Sequence, residues 1–118
     1  MKVLLVDDSA TMRRILKGQL TLLGLTDIIE AGNGKLAIDT LTSTPGIDLV
    51  LLDWNMPEMD GFTCLKQIRA NPALKAVKVI MCTSEADKAK VVEAIKAGAN
   101  NYIVKPFTPE TIKEKIGL

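Results

Sequence analysis

The sequence contains no histidine. That absence removes Ser-His and Cys-His nucleophilic catalysis from the chain, together with every histidine-ligated metal site. Carboxylates, hydroxyls and lysines remain for chemistry, with hard cations as the metals they would take. Aromatic residues are also scarce: Trp54, Phe62, Tyr102 and Phe107 are the whole set. The two cysteines, Cys64 and Cys82, lack CxxC spacing and fall in a helical and a strand-like segment. They read as buried, reduced thiols of a cytoplasmic protein. No apolar run approaches the ~20 residues of a membrane span. Lys2 precedes only Val3 to Val6 before Asp7 and Asp8, too short a run for a signal-peptide core. Excess charge is missing as well: 15 lysines and arginines against 14 acids give +1. Neither nucleic acid nor an anionic membrane finds a broad electrostatic footprint here. Function must come from a local arrangement of charge.

What is present is the composition of a globular chain. With 118 residues, 47% of them apolar and 25% charged, a single domain over residues 1–118 with one hydrophobic core is expected. Short β-branched apolar runs alternate with segments of helical period. Strands are predicted at Lys2–Asp7, Asp27–Ala31 (the weakest), Asp48–Asp53, Val77–Thr83 and Asn101–Val104. Between them, helices are predicted from about Ser9 to Leu23, from Gly34 through Leu41, from Asp60 to Ala70 and from Asp87 to Ala97. A last helix is capped by Thr108 and opened by Pro109. Strands one, three and four are nearly continuous apolar runs, as in a parallel sheet covered by helices on both faces. Right-handed crossovers then give an α/β sandwich of five βα units.

In such sheets ligands bind beyond the carboxyl ends of the strands. Strand one ends in Asp7-Asp8, strand three in Asp53, strand four in Thr83-Ser84 and strand five in Lys105-Pro106. Taken singly, each is ordinary turn or cap chemistry. Together they bring three carboxylates, a hydroxyl and an ammonium to one edge. Crowded acids raise one another's pKa unless a cation sits among them. With no arginine in these loops, a divalent metal is the natural neutraliser, and an all-oxygen site suits magnesium. Magnesium beside a lysine and a hydroxyl makes a receptor for a phosphoryl group. Asp53, ending the central strand, is the carboxylate placed to be the nucleophile of an acyl phosphate.

The stretches VLLVDDSATMRRIL, LVLLDWNMPEMDG, VIMCTSE and AGANNYIVKPF, in that order, resemble the receiver domain of two-component response regulators over essentially the full length. The nearest likeness is to the stand-alone chemotaxis regulators of that family. The resemblance implies a flavodoxin-like (βα)5 three-layer sandwich with strand order 2-1-3-4-5. It implies Asp53 as the phosphorylated aspartate, Asp8 and Asp53 as direct magnesium ligands, Asp7 as holder of a metal-bound water, and the Asn55 carbonyl as a further ligand. Thr83 then matches the hydroxyl that follows the phosphoryl group, Tyr102 the aromatic switch, and Lys105 the phosphate-binding lysine, aimed by a cis Lys105-Pro106 bond. Asn55 and Glu85 match positions that tune dephosphorylation. The missing histidine is then explained: it lies on the phosphodonor, a histidine kinase of the CheA type. A flagellar motor switch protein and a phosphatase are the further partners implied, for a cytoplasmic monomer that catalyses only its own phosphorylation and hydrolysis. On the fourth helix, Val91 and Val92 lie about 100° apart. Either both share a wide buried stripe, or Val91 is exposed beside Tyr102 as a docking patch.

Rival readings fail on particular residues. A haloacid-dehalogenase-type phosphatase needs an acid where Asn55 stands and a larger body. A flavin carrier would set three acids against the FMN phosphate. A P-loop at GNGK needs glycine at position 29, which is Ile29. Within the family, a phosphorelay intermediate and a receiver cut from a longer regulator remain alternatives to the chemotaxis reading.

Overall fold

The computed structural model describes residues 1–84, 88–105 and 107–117. Five strands, β1 (Lys2–Val6), β2 (Asp27–Ala31), β3 (Leu49–Asp53), β4 (Lys78–Thr83) and β5 (Asn101–Val104), alternate with five helices. These are α1 (Ala10–Leu22), α2 (Gly34–Ser43), α3 (Gly61–Ala70), α4 (Lys88–Lys96) and α5 (Pro109–Ile116). The strands form one parallel sheet in the order β2-β1-β3-β4-β5. The three-layer architecture and the strand order are those expected.

Side-chain alternation along the strands feeds two cores, not the one expected, because the sheet separates its two helix-covered faces. Leu4, Val6, Val50, Leu52, Val79 and Met81 pack with Ala37, Leu41, Cys64, Leu65, Ile68 and Ala94 from α2, α3 and α4. Val3, Leu5, Leu49, Leu51, Ile80, Cys82 and Ile103 pack on the opposite face with Leu16, Leu20, Ile112 and Ile116 from α1 and α5. All five residues of β3 are buried, whereas β2 at the edge buries only Ala31. That contrast explains why β2 has the weakest apolar signal.

The observed boundaries follow from capping. Ser9, Asn33, Asp60 and Thr108 each hold an extended backbone and accept the amide three residues on, so the helices begin one residue after them. Each such cap stabilises its helix by about 1 kcal/mol. A 3₁₀ turn at Pro72–Leu74, which periodicity did not foretell, joins α3 to β4 and delays that strand to Lys78. Burial pushes the thiols of Cys64 and Cys82 up to about 12, so both are inert free cysteines, as expected. No helix among the described residues is long and apolar enough to cross a membrane. Asp87, Glu85 and the Lys105-Pro106 bond, each the subject of an expectation above, involve positions outside the described residues.

Candidate functional site

Parallel register brings the strand tips together. Asp53 pairs with Cys82 and Thr83 with Val104, while Val6, just before Asp7, lies between Ala31 and Leu52. The Lys105 amide donates to the Thr83 carbonyl at 2.7 Å, which seats Lys105 directly beyond the tip of β4. Asp7, Asp53 and Thr83 are buried, and they are the only polar or charged residues among the buried described positions. Buried carboxylates are costly unless paired and hydrogen-bonded. Apolar packing does not explain them; their partners do.

One carboxylate oxygen from each of Asp7, Asp8 and Asp53 lies within 4.8 Å of the others, with Asp8 exposed. Among the described residues this is the single cluster of potential metal ligands. The Lys105 ammonium bridges two of its members, donating to Asp7 Oδ2 at 3.0 Å and to Asp53 Oδ1 at 3.1 Å. Asp7 Oδ1 also accepts the Ser9 amide at 2.9 Å, which fixes that carboxylate at the start of α1. Three acids against this one ammonium leave the cluster short of positive charge, and its donors are all oxygen. That donor set fits a hard divalent cation.

Burial raises the pKa of Asp53, assisted by the charges of Asp7 and Asp8 and opposed by the hydrogen bond and charge of Lys105. Burial acts to lower Lys105, but its bonds to Asp7 and Asp53 outweigh that and leave it raised. Both shifts have the same sign in linkage: a raised folded pKa means stability that is present below the unfolded value and lost as pH rises through the folded one. For Asp53 the loss begins as pH climbs above 3.8; for Lys105 it begins above 10.5. In metal-free buffer, the Asp53→Asn variant should therefore lose the acid-side part of this pH dependence. Urea unfolding at a series of pH values checks it, and parallel curves for the two proteins would contradict it.

The loop from Trp54 to Asp60 turns the chain away from the cluster. The Trp54 amide donates to the Cys82 carbonyl, and the Gly61 amide returns to the Trp54 carbonyl at 2.8 Å. Between them the Met59 amide donates to the Pro57 carbonyl at 2.7 Å, with Glu58 at φ +67. Glu58 is the one non-glycine with positive φ among the described residues. A left-handed L-residue costs roughly 1–2 kcal/mol, and glycine returns part of that in chain entropy. Glu58→Gly should thus stabilise the fold by about 0.5–1 kcal/mol in a denaturant titration. A loss of stability would show that the Asn33–Glu58 contact (3.4 Å) outweighs the strain.

Sequence reading did not find several residues around the cluster. Arg13 of α1 donates to the Asp7 carbonyl at 2.6 Å and pairs with Glu30 at 3.0 Å. A guanidinium therefore does reach the tip of β1, contrary to the expectation based on the loops alone. It is supplied by a helix, one turn along. Trp54 stacks on Phe62 (5.4 Å between centroids), and the pair is flanked by Lys90 over Trp54 at 5.8 Å and Lys66 over Phe62 at 4.9 Å. Asn55 is exposed beside Asp53.

Farther out, Lys88, Val91, Val92, Tyr102 and Val104 line a groove of about 330 Å³. Lys115 lies 4.8 Å over the Tyr102 ring. Tyr102 is half-buried, and Val91 is beside it as expected. The prominent valine is the other one, however: Val92 is 48% exposed and Val91 is half-buried. Both alternatives drawn from helical spacing are thereby corrected, because Ala94 is the one residue of α4 that is buried and neither valine lies on a wide buried stripe.

Comparison with known proteins agrees with this geometry. Residues 3–117 match the family model described as the response regulator receiver domain. The chain is 52% identical to a chemotaxis protein CheY homolog of Campylobacter jejuni, covering 98% of this chain and 89% of that protein. It is 50% identical to chemotaxis protein CheY1 of Helicobacter pylori, covering 98% and 94%. Its structure is similar to a chain of the CheX-CheY-BeF3-Mg complex of Borrelia burgdorferi, with a TM-score of 0.90, 34% identity and coverage of 98% and 86%. By the family match, by these relatives and by the strand-tip geometry, the chain belongs to the response regulator receiver domain family and is CheY-like within it.

Proposed function

We propose that Asp53 accepts a phosphoryl group from a phosphohistidine of a partner kinase and that the resulting charge switches the α4–β5 face. The observation that carries this reading is the Lys105 bridge: one ammonium hydrogen-bonded to both Asp7 and Asp53, next to an exposed Asp8. Asp8, Asp53 and the Asn55 carbonyl would hold magnesium, with Asp7 holding a water. When bound, magnesium supplies positive charge for the phosphoryl oxygens.

The remaining work falls to the chain. A carboxylate oxygen of Asp53 attacks phosphorus, the P–N bond to the donor imidazole breaks, and the imidazole leaves as its nitrogen takes a proton. Lys105 can leave Asp53 for a phosphoryl oxygen without losing Asp7, so its charge stays paired throughout. Thr83, buried at the neighbouring tip, donates its hydroxyl to another oxygen. Tyr102 and the Val91–Val92 side of α4 respond to that shift. Acetyl phosphate serves as a small donor by the same displacement. The domain turns over no independent substrate, acts in the cytoplasm where such donors occur, and signals to the flagellar motor switch. A phosphatase is a further partner in this reading, and the similar Borrelia chain, solved in a complex with CheX, supports a protein partner besides the kinase.

Trp54 adjoins Asp53 and is the only tryptophan. Its fluorescence should change with magnesium and again with beryllofluoride, a phosphoryl mimic, in the parent protein. The second change should vanish in Asp53→Asn. Equal responses in the two proteins would refute the assignment.

A further inference from the structure

Helix α4 is the helix least secured by apolar packing. Ala94 is its single buried residue, while Val92 and Ile95 are 48% and 44% exposed. Its carboxyl end is instead held by polar contacts from the end of α3. Arg69 Nε donates to the Gly98 carbonyl at 2.8 Å, and Arg69 Nη2 donates to Asn100 Oδ1 at 2.8 Å. Asn100 Oδ1 accepts the Val79 amide as well, at 2.9 Å, and the Asn100 amide donates to the Val79 carbonyl at 2.8 Å. The turn after α4 is therefore tied to both α3 and the start of β4.

Gly98 makes this contact intimate. Its φ is +112, and a Cβ there would lie 2.7 Å from Arg69 Cγ and 3.0 Å from Cδ. The arginine stem occupies the space a side chain would need, so guanidinium and turn are fitted to one another. At the opposite end, α4 touches the candidate site through Lys90 over the Trp54 ring. A helix with one fixed end and little buried surface answers a push at the other end by rotating about the fixed one.

We propose that Arg69 is a positioning residue, the pin about which α4 turns. It makes a change at Asp53 and Thr83 appear as a directed movement of the Val91–Val92–Tyr102 groove. This rests on the reading that Asp53 is the phosphorylation site. Without the pin, α4 samples several placements before activation, so activation adds less. Site occupancy itself does not require Arg69, which touches none of Asp7, Asp53, Thr83 or Lys105.

The protein carries its own two reporters: Trp54 for the site and its only tyrosine, Tyr102, for the groove. In the protein with fluorotyrosine at Tyr102, magnesium and beryllofluoride should move both the tryptophan emission and the fluorine resonance. In Arg69→Met, half-saturation followed at Trp54 should stay within about threefold of the parent, while the fluorine displacement falls by half or more. Arg69→Lys, with one donor group to share between two acceptors, should lie between. An undiminished fluorine displacement in Arg69→Met overturns the pin. So does a parallel weakening of both signals, which marks a merely structural role. Should Arg69→Met not fold, Asn100→Ala removes one acceptor of the pin and is read by the same criteria. Silence of Trp54 in the parent would instead refute the phosphorylation reading, and the pin with it.

Discussion

Gly61→Ala is expected to be the most damaging glycine-to-alanine change in this protein. A Cβ at Gly61 would overlap the carbonyl oxygen of Asp53 and lie 2.9 Å from both Asp53 C and Trp54 Cα. These are backbone atoms at the end of a fully buried strand, so nothing nearby yields cheaply. The carbonyl cannot turn aside either, because the Gly61 amide already holds the adjacent Trp54 carbonyl. Overpacking of this kind costs at least about 3 kcal/mol. For a domain of this size that lowers Tm by roughly 10 °C or more. Relief can come only by moving Asp53, so chemistry at Asp53 should fall together with stability. Gly18→Ala is the matching control. Gly18 is exposed within α1 with no atom within 4 Å of its Cβ position, and alanine there should stabilise by about 1 kcal/mol. Calorimetry on the two variants should give shifts of opposite sign. Equal shifts would contradict the role given to the close approach of Gly61 to Asp53.

Lys105→Met should separate metal binding from phosphoryl chemistry. The ammonium pairs with two carboxylates that are nearly buried (side chains 3% and 10% exposed). Removing one member of such a group leaves charge uncompensated, at a cost of about 3 kcal/mol in metal-free buffer. The same loss removes a cation that competes with magnesium for Asp7 and Asp53. Magnesium should therefore bind at least as tightly to the variant, and should restore more stability to it than to the parent. Phosphorylation by acetyl phosphate should nevertheless fall by about 10²-fold or more, because the positive charge fixed for the incoming phosphoryl oxygens is gone. Magnesium titrations of Trp54 emission and the rate of phosphate incorporation read the two effects separately. Weakened magnesium binding with an unchanged rate would contradict the role given to Lys105.

Much of this was legible from residue order. Apolar runs that stop at Asp7, Asp53, Thr83 and Lys105 mark strand ends, and a parallel sheet places strand ends on one edge. The convergence of three acids and a lysine thus follows from pattern and topology. The N-cap of the last helix was legible for a similar reason, since Thr108 acts on an amide three residues away. Contacts that depend on how elements pack were not legible. Arg13 reaches Asp7 from a neighbouring helix, and Arg69 meets Gly98 across 29 residues. Gly61 reads as half of a turn-forming Asp-Gly pair and gives no sign that Asp53 fills the space beside it. On α4, Val91 and Val92 are interchangeable by spacing. Which one protrudes depends on how α4 is turned on the sheet, where Ala94 is its buried residue, and the period of the helix does not give that.

The central claim is that Asp53 is a covalent acceptor. Incubation with acetyl phosphate and magnesium, followed by intact-mass analysis under conditions that preserve acyl phosphates, tests it directly. The parent should gain the mass of one phosphoryl group, lose it on treatment with hydroxylamine, and gain none when magnesium is chelated; Asp53→Asn should gain none. A phosphoryl group of the same stoichiometry on Asp53→Asn, or on the parent without magnesium, would contradict it.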